Sequence, residues 1–305
     1  MCFERQVLLE EFTTENCPNC PDGAETMHTA LQMNPAVSER VNIVCHHAAF
    51  GTDWLTQQCD EAYTWFFNEG GQTFAPAWMI DRKPYFDSMI ASGNRQAIYW
   101  PGSEKEFAQM LEGAMAEEPH AQIGATATVA DGRINVSVIG LYDEQFSTAG
   151  SRLTVYLTED NIDAHEQQDH NGVVSGFKHQ HVIRAYNSTW GVKPAYSQDM
   201  TLSYACSFAL DPSWKRDDLK VVAVLSNYDE TSNLNCIVEN SVAVPIVEGS
   251  TEGIVSQPHL TSNFSHLTSD SYDLQGRPIG NSRSAKPRFV IIRRADGSVI
   301  KSIAK

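Results

Sequence analysis

Two cysteines separated by two residues, Cys17 and Cys20, are the part of this sequence whose residue types and spacing most directly indicate chemistry. They follow an apolar run typical of a buried strand and precede a helical pattern through Met27 and Ala30. A helix N-terminus carries partial positive charge and unpaired N–H groups, which stabilise a thiolate on the first cysteine. The i, i+3 spacing lets the second cysteine close a small disulfide. One thiol can therefore attack a substrate disulfide and the other can resolve the mixed disulfide.

The residues around this pair resemble the thioredoxin superfamily. The family pattern Glu-Phe-x-x-x-x-Cys begins here at Glu11 and ends at Cys17. The resemblance implies that Glu11 is buried and accepts the proton of the resolving cysteine, Cys20. It also implies a cis-proline opposite the disulfide, and Pro76, directly before an apolar strand pattern, fits that position.

The resemblance also indicates which residues contact a substrate. We expect Pro18 and Asn19, between the cysteines, and Ala75, before the expected cis-proline, to line the peptide-binding surface. Cys17, at the helix start, is predicted to be the more exposed and more acidic thiol, with Cys20 one turn further in.

His46 and His47 end the next strand pattern, at the edge where open α/β sheets usually carry their functional groups. Neighbouring strand residues face opposite ways, so at most one imidazole points toward the cysteines. A role beside the thiolate and a plain packing role both stay open. A metal site that uses both cysteines and both histidines is disfavoured by that divergence, and we predict neither a metal nor a cofactor.

The composition limits the classes of function. At 305 residues with 42% hydrophobic residues, the chain is long enough for two domains with filled cores. A formal net charge of −16 argues against nucleic-acid binding, because phosphates would be repelled. No apolar run is long enough to cross a bilayer, and no signal-peptide pattern is present in this chain.

Helical and strand patterns alternate up to Pro119. A β-strand precedes the cysteines, and a further strand is predicted after Pro76. This order predicts an α/β thioredoxin-like domain over residues 1–119. The other predicted elements are a helix at 21–33, a strand at 41–47, a helix capped by Thr52 or Asp53 and ended by Gly70 and Gly71, and a helix from the Ser103 cap to Met115.

The pattern changes after Pro119 to strands separated by turn-rich loops, which predicts an antiparallel β-sandwich domain over residues 120–248. Its Lys178-His179-Gln180-His181 stretch places two histidines on one strand face, for which a metal pair and a solvated face are the alternatives. Residues 160–171 are polar and acidic and are predicted to form a loop. The predicted strands are 121–129, 133–141, 152–158, 173–186, 200–210, 219–225 and 235–247.

The sequence has seven cysteines, and only the Cys17/Cys20 pair has diagnostic spacing. Cys206 and Cys236 lie in strand patterns and would pair only if those strands meet suitably. Cys2 is either an acylated lipoprotein cysteine or an ordinary thiol. Cys45 and Cys59 are predicted to be small buried residues.

The end of the chain is predicted to be a linker followed by a short β tail. Residues 249–271 are rich in Ser and Thr. Residues 272–305 show short strand patterns with a turn at Asp296 and Gly297. They resemble the C-terminal sorting segments of type IX secretion cargo in Bacteroidetes, and a small β appendage on the sandwich is the alternative.

The succession of domains resembles the outer-membrane-protein-28-related family of Bacteroidetes. The cysteine region and the His-Val-Ile-Arg segment at 181–184 carry this similarity over about residues 5 to 247. Membership implies a location in the cell envelope or at the cell surface, in the periplasm or at the outer membrane.

Two classes of function follow. The first is an extracytoplasmic thiol–disulfide oxidoreductase whose partners are protein thiols or disulfides and a membrane-bound redox partner. The second is a surface binding protein or adhesin in which the thioredoxin-like domain is a scaffold, since fold alone does not separate the two. The sequence leaves open whether the protein oxidises, reduces or isomerises disulfides.

Overall fold

A computed structural model of the chain describes residues 3–49, 51–68, 70, 74–84 and 97–249, together with the backbone of four short strands between residues 271 and 304. Cys2, most of the predicted linker at 249–271, and the predicted turn at Asp296 and Gly297 lie outside the described residues. The described chain forms two compact units, residues 1–258 and residues 259–305.

The first part of the larger unit alternates strands and helices. Its central strand pairs in parallel with one neighbour and antiparallel with the other, in the order β2-β1-β3. All of β1 is buried. The elements are β1 (Val7–Phe12), α1 (Cys20–Met33), α2 (Pro35–Ser38), β2 (Val41–His46), α3 (Gln58–Phe67), β3 (Ala77–Ile80) and α4 (Glu104–Met115).

The two faces of β1 pack on different helices. Leu8 and Phe12 share a core with α3, whereas Val7 and Leu9 share a core with α1 and α4. Because side chains alternate along a strand, the consecutive carboxylates that follow Leu9 point to opposite faces of the sheet. Glu10 therefore points to the α3 face, and Glu11 points to the face that carries α1 and α4.

The second part of the larger unit consists almost entirely of strands. The first two, β4 and β5, form the predicted hairpin, whose Asp131 and Gly132 both have positive φ angles as a tight two-residue turn requires. The strands are β4 (Ala121–Ala130), β5 (Arg133–Tyr142), β6 (Ser151–Glu159), β7 (Ile162–Asp163), β8 (Gln168–Asp169), β9 (Gly172–Val173), β10 (Lys178–His179), β11 (Val182–Tyr186), β12 (Ala195–Tyr196), β13 (Thr201–Ala209), β14 (Leu219–Asn227) and β15 (Val238–Glu248).

Eleven of the described strands form one large mixed sheet in the order β12-β13-β5-β4-β15-β14-β6-β11-β2-β1-β3. The link between the two parts is a parallel contact in which Val182 pairs with Cys45. A second parallel contact joins the end of β15 to β4. The prediction of an antiparallel second part is confirmed only in part, because β15 pairs in parallel with β4.

The core of the second part lies between two groups of strands. Apolar side chains of β4, β5 and β13 share one cluster with those of β6 and β14, and this cluster includes Val136, Leu202 and Val221. The opposite face of β6 and β14 contributes Tyr156 and Val222 to the core that contains α3. Strands of the second part thus complete the core of the first part.

Two predicted element boundaries are wrong. The predicted strand 173–186 is divided into β9, β10 and β11. His181, with a φ of +57°, separates the last two. The predicted helix start at Thr52 or Asp53 lies in a loop. Helix α3 begins at Gln58, after the N-cap residue Gln57, whose backbone N–H donates to the Asp60 carboxylate at 2.7 Å.

The smaller unit contains the predicted short strands. Ser271–Tyr272 pairs with Pro278–Ile279, and Arg288–Arg293 pairs antiparallel with Val299–Ala304. Among the described helices, none is both long enough and apolar enough to span a membrane. Cys206 and Cys236 are free thiols, so the alternative in which they pair is wrong.

A fully buried charge network joins β1, β2, β3, α3 and β6. The Glu10 carboxylate accepts hydrogen bonds from Arg82, at 3.0 Å from Nε to Oε2, and lies 3.2 Å from Nε2 of His46. Nδ1 of His46 lies 2.8 Å from Asp60. Arg82 also donates to the Tyr156 hydroxyl. Two buried cations therefore face two buried carboxylates.

Their pKa shifts agree with this pairing. Burial alone would raise the pKa of Glu10, but the charge of Arg82 and the hydrogen bond with His46 hold it below its ordinary value. Burial opposes the charge of His46, yet its hydrogen bonds with Asp60 and Glu10 raise its pKa to about 8. At neutral pH the network is charged and internally compensated.

Replacing Glu10 with Gln should lower the free energy of unfolding by about 3 to 5 kcal/mol, because Arg82 stays buried without its carboxylate. Urea unfolding followed by circular dichroism at pH 7 measures this. Asp163→Asn is the matched control, since it removes an exposed carboxylate that pairs with Lys178 and Lys215. It should leave the unfolding midpoint almost unchanged. Equal effects of the two variants would contradict the importance of burial.

Candidate functional site

Cys17 and Cys20 form a disulfide, with an S–S distance of 2.29 Å and a Cα–Cα distance of 5.4 Å. Helix α1 begins at Cys20, and Asn19 is its N-cap residue. The chain therefore turns between β1 and α1 so that Cys17 lies just before the helix. The backbone N–H of Cys17 donates to the carbonyl of Thr14, which fixes this turn.

The expectation that Cys17 is the exposed thiol is wrong in this structure. Cys17 has 0% exposure and Cys20 has 2%, although Asn16, Pro18 and Asn19 are all exposed. A residue of the second part of the chain contacts this turn: Nε2 of Gln167 donates to the Cys17 carbonyl at 3.1 Å.

Pro76 lies against helix α1 and follows a cis peptide bond from Ala75. Gly23, one turn after Cys20, faces this proline: a Cβ at that position would lie 2.4 Å from Cγ of Pro76. The absence of a side chain at Gly23 therefore lets the proline pack on the cysteine helix. Ala75 is half-buried, so the edge before the proline is open to a partner.

Glu11 lies on the α1 and α4 face of the sheet and is buried. Burial raises its pKa above the ordinary value. The thiol of Cys45, its direct neighbour on β2, donates a hydrogen bond to it, and the charges of His181 and His47 act in the opposite direction to burial. Glu11 is thus a carboxyl group held on the same face as the cysteine helix.

The two consecutive histidines have different environments. The His46 ring stacks on Phe12 within the charge network on the α3 face. His47, the next residue, has Nδ1 2.8 Å from Asp53, and its Nε2 has no hydrogen-bond partner among the described residues. His47 therefore lies on the Glu11 side, as its effect on that pKa indicates.

A second polar cluster surrounds Glu15, directly before the cysteines. His179 is buried with Nε2 3.1 Å from Oε1 of Glu15, and its ring lies edge-on to His47. Burial and the neighbouring His47 lower the pKa of His179 to about 4. The prediction that His179 and His181 share a solvated strand face is wrong, because His181 breaks the strand and His179 points inward.

Sequence reasoning missed Glu15, Asp53, His179 and Gln167 as members of this neighbourhood. Glu15 and Asp53 are linked because the Glu15 N–H donates to Asp53 at 3.0 Å. A cleft of about 590 Å³ lies beside them, lined by Glu15, Asn16, Asp53, Trp54, Ala164, His165 and Glu166. The only sequence signal was position, since Glu15 lies two residues before Cys17.

Among the described residues, His46, Cys59 and Asp60 lie close enough together to bind one ion. Both ring nitrogens of His46 already face carboxylates, at 2.8 Å and 3.2 Å. Hydrogen bonds within the buried charge network therefore account for this cluster. Burial also raises the pKa of Cys59, which opposes formation of a thiolate ligand.

The chain resembles known proteins at the levels of family and fold. A model of the family described as outer membrane protein Omp28 matches residues 68–245. The structure of HBP35 of Porphyromonas gingivalis matches with a TM-score of 0.69 and 20% identity, covering 99% of this chain and 98% of that chain. This match shows a shared fold. Among curated proteins, none matches.

Two further solved structures match less well. Protein AGR_C_4864 from Agrobacterium tumefaciens has a TM-score of 0.46 and 10% identity, over 80% of this chain and 96% of that chain. A domain of the outer membrane lipoprotein Omp28 from Porphyromonas gingivalis has a TM-score of 0.30 and 23% identity, over 43% of this chain and 92% of that chain.

Gly23→Ala should lower the free energy of unfolding by about 1 to 3 kcal/mol, because the new methyl group overlaps Pro76 and forces α1 away from it. Thermal and urea unfolding measure the change. Gly51→Ala is the control, since a Cβ at Gly51 meets no atom within 4 Å. Wild-type stability in Gly23→Ala would disprove the close packing of Pro76 on α1.

Proposed function

This chain belongs to the outer membrane protein Omp28 family, and we propose that it is a thiol–disulfide oxidoreductase that acts on protein disulfides through Cys17 and Cys20. As a member of this family the protein is associated with the cell envelope and the outer membrane. The redox activity is our inference from the site. Protein thiols or disulfides are its substrates, and a membrane-bound redox partner restores its starting state.

One observation carries this proposal: a disulfide at the start of α1 lies on the same helix that packs against Pro76. Gly23 provides the contact with Pro76, and the disulfide joins residues separated by three positions. A small disulfide at a helix N-terminus has a first thiol that is easily ionised once reduced. We propose Pro18, Asn19 and Ala75 as the substrate contacts.

We assign residues 1–119 to a thioredoxin-like domain and residues 120–248 to a β-sandwich domain. The β2-β1-β3 order, with α1 and α4 on one face and α3 on the other, supports the first assignment. The core shared by two groups of strands supports the second. Residues 249–271 are then a linker, and residues 272–305 a β segment that serves as a secretion-sorting signal.

In the proposed reaction, the Cys17 thiolate attacks a substrate disulfide, forms a mixed disulfide and releases one substrate thiolate. Cys20 then loses its proton to Glu11 and attacks Cys17, which restores the Cys17–Cys20 bond and releases the second substrate thiolate. The substrate gains two electrons that the protein dithiol loses. Beside Glu11, His47 is held by Asp53, with Nδ1 2.8 Å from the Asp53 carboxylate.

The alternative function is a surface binding protein or adhesin in which this domain is a scaffold. The complete burial of Cys17 is the observation that favours it, because a buried sulfur does not meet a partner. The two proposals differ in whether a covalent intermediate forms, which can be measured.

Cys20→Ser should trap mixed disulfides through Cys17, because the resolving thiol is absent, whereas Cys17→Ser should abolish exchange. The wild-type protein should reduce insulin faster than an equal concentration of free dithiothreitol. Trapped adducts are identified by non-reducing electrophoresis and mass spectrometry. Absence of trapping together with a rate equal to that of free dithiol would favour the adhesin alternative.

Glu11→Gln should slow resolution of the mixed disulfide more than the first attack, by about 10- to 100-fold, since only the second thiol needs the acceptor. Glu11 accepts a proton only when ionised, so the wild-type resolution rate should rise with pH through its raised pKa. The variant should lose this rise. Stopped-flow measurement with a fluorescent mixed disulfide separates the two steps.

Glu25→Gln, at an exposed position on helix α1, is the control for charge and should keep the wild-type pH profile. An unchanged profile in Glu11→Gln would remove Glu11 from the mechanism while leaving the roles of the cysteines intact.

A further inference from the structure

A short segment of the second part of the chain is hydrogen-bonded to Glu15 and to the backbone of Cys17. We call residues 164–168 the cap. Its backbone is bound to Glu15, whose carboxylate accepts the N–H of His165 at 2.8 Å and the N–H of Glu166 at 3.3 Å. The carbonyl of Glu15 accepts the N–H of Gln168 at 2.8 Å. One residue next to the redox pair thus binds three backbone donors of a segment 150 positions away.

The centre of the cap is Gln167, which is 1% exposed. Its amide nitrogen donates to the Cys17 carbonyl at 3.1 Å. Its amide oxygen is buried and has no hydrogen-bond partner in the described part of the chain. A buried acceptor without a partner disfavours the closed arrangement. The cap is therefore not tightly optimised for the position in which Gln167 binds the Cys17 backbone.

An aromatic contact supports the cap from outside. The Trp54 indole stacks on the His165 imidazole, with ring centroids 3.9 Å apart, and its N–H donates to Glu15 at 3.1 Å. Trp54 is 44% exposed and His165 is also exposed. The outer side of the cap is thus open to solvent and to a partner, while its inner side excludes both.

We propose that the cap determines which substrates reach Cys17, and that it selects extended polypeptide segments. This inference rests on the proposed oxidoreductase function for its biological meaning. A thiolate must approach a sulfur along the S–S axis. In this structure Cys17 and Cys20 are both buried, so the cap has to move before an attacking thiolate reaches Cys17. The cap is held by N–H groups that donate to the backbone carbonyls of Glu15 and Cys17. The backbone of an extended polypeptide also carries a row of N–H donors that can bind these carbonyls, whereas glutathione has few.

The exchange step can be followed with dithiothreitol as the reductant. Its thiolate attacks Cys17, forming a new S–S bond while the Cys17–Cys20 bond breaks and Cys20 leaves as a thiolate that takes a proton from water. The second reagent thiol then displaces Cys17. The protein gains two electrons and dithiothreitol becomes a cyclic disulfide.

The test uses the full chain with the disulfide formed. Gln167→Ala should increase the rate of reduction by dithiothreitol about tenfold, because one hydrogen bond of the closed cap is lost. Glu15→Gln, which weakens the opposite side of the contact, should also increase it. Acid quenching, alkylation and mass spectrometry follow Cys17 specifically. Both variants are compared at matched folded content, measured by circular dichroism.

Gln180→Ala is the matched control, because Gln180 is an exposed glutamine near the cap whose amide contacts Asn161 instead of the cysteine region. It should reduce at the wild-type rate. A wild-type rate in both folded cap variants would overturn the proposal, as would an equal increase in Gln180→Ala.

Substrate selection is tested with the reduced protein. The ratio of its rate constants with scrambled ribonuclease and with oxidised glutathione should fall about fivefold in Gln167→Ala, since the lost hydrogen bond opens the site to the small disulfide. An unchanged ratio would overturn selection by the cap. If the wild type shows no insulin turnover but Gln167→Ala is still reduced faster, the oxidoreductase function fails and the cap stands. If the wild type turns over insulin but both cap variants are reduced at the wild-type rate, the oxidoreductase function stands and the cap proposal fails.

Discussion

The larger unit depends on the ion pair between Glu10 and Arg82, both removed from water at the centre of the sheet. Burial of either charge without its partner would lower the free energy of unfolding, so the elements that supply the partners must assemble together. Glu10 belongs to β1, Arg82 follows β3, His46 ends β2 and Tyr156 comes from β6. Burial of this pair therefore ties the cysteine-bearing part of the chain to the strand-rich part.

Because side chains alternate along β1, its neighbouring carboxylates Glu10 and Glu11 lie in different environments. Glu10 is ionised, saturated with donors and structural. Glu11 points to the other face, has a raised pKa and bonds with a weak thiol donor, Cys45. The same division applies to His46, the last residue of β2, and His47, which follows it. A register shift of one residue in β1 or β2 would exchange these environments, so the apolar cores that fix the register also fix the candidate chemistry.

Much of this arrangement is predictable from local sequence. The Cys-x-x-Cys spacing, the apolar periodicity of α1 and α4, the β4–β5 turn and the proline before β3 are all local signals, and the structure contains these elements. The joining of both parts into one sheet rests on the single pairing of Val182 with Cys45, more than 130 residues apart, which periodicity does not reveal. The left-handed conformation of His181 and the binding of a polar loop by Glu15 depend on hydrogen bonds without a compositional signal.

The position of β15 has a consequence for synthesis. This strand completes the sheet between β4 and β14, and its Asn240 accepts the N–H of Gln6 at 2.9 Å and donates to the carbonyls of Glu4 and Ala121. Chains are synthesised from the N-terminus, so β15 is made long after β1. The residues around β1 are therefore not all in place until almost the whole larger unit has been synthesised. Throughout that interval Cys17 and Cys20 are already present while Gln167 is not yet made or seated. Oxidants therefore meet a nascent cysteine pair without the barrier that the finished fold places over it.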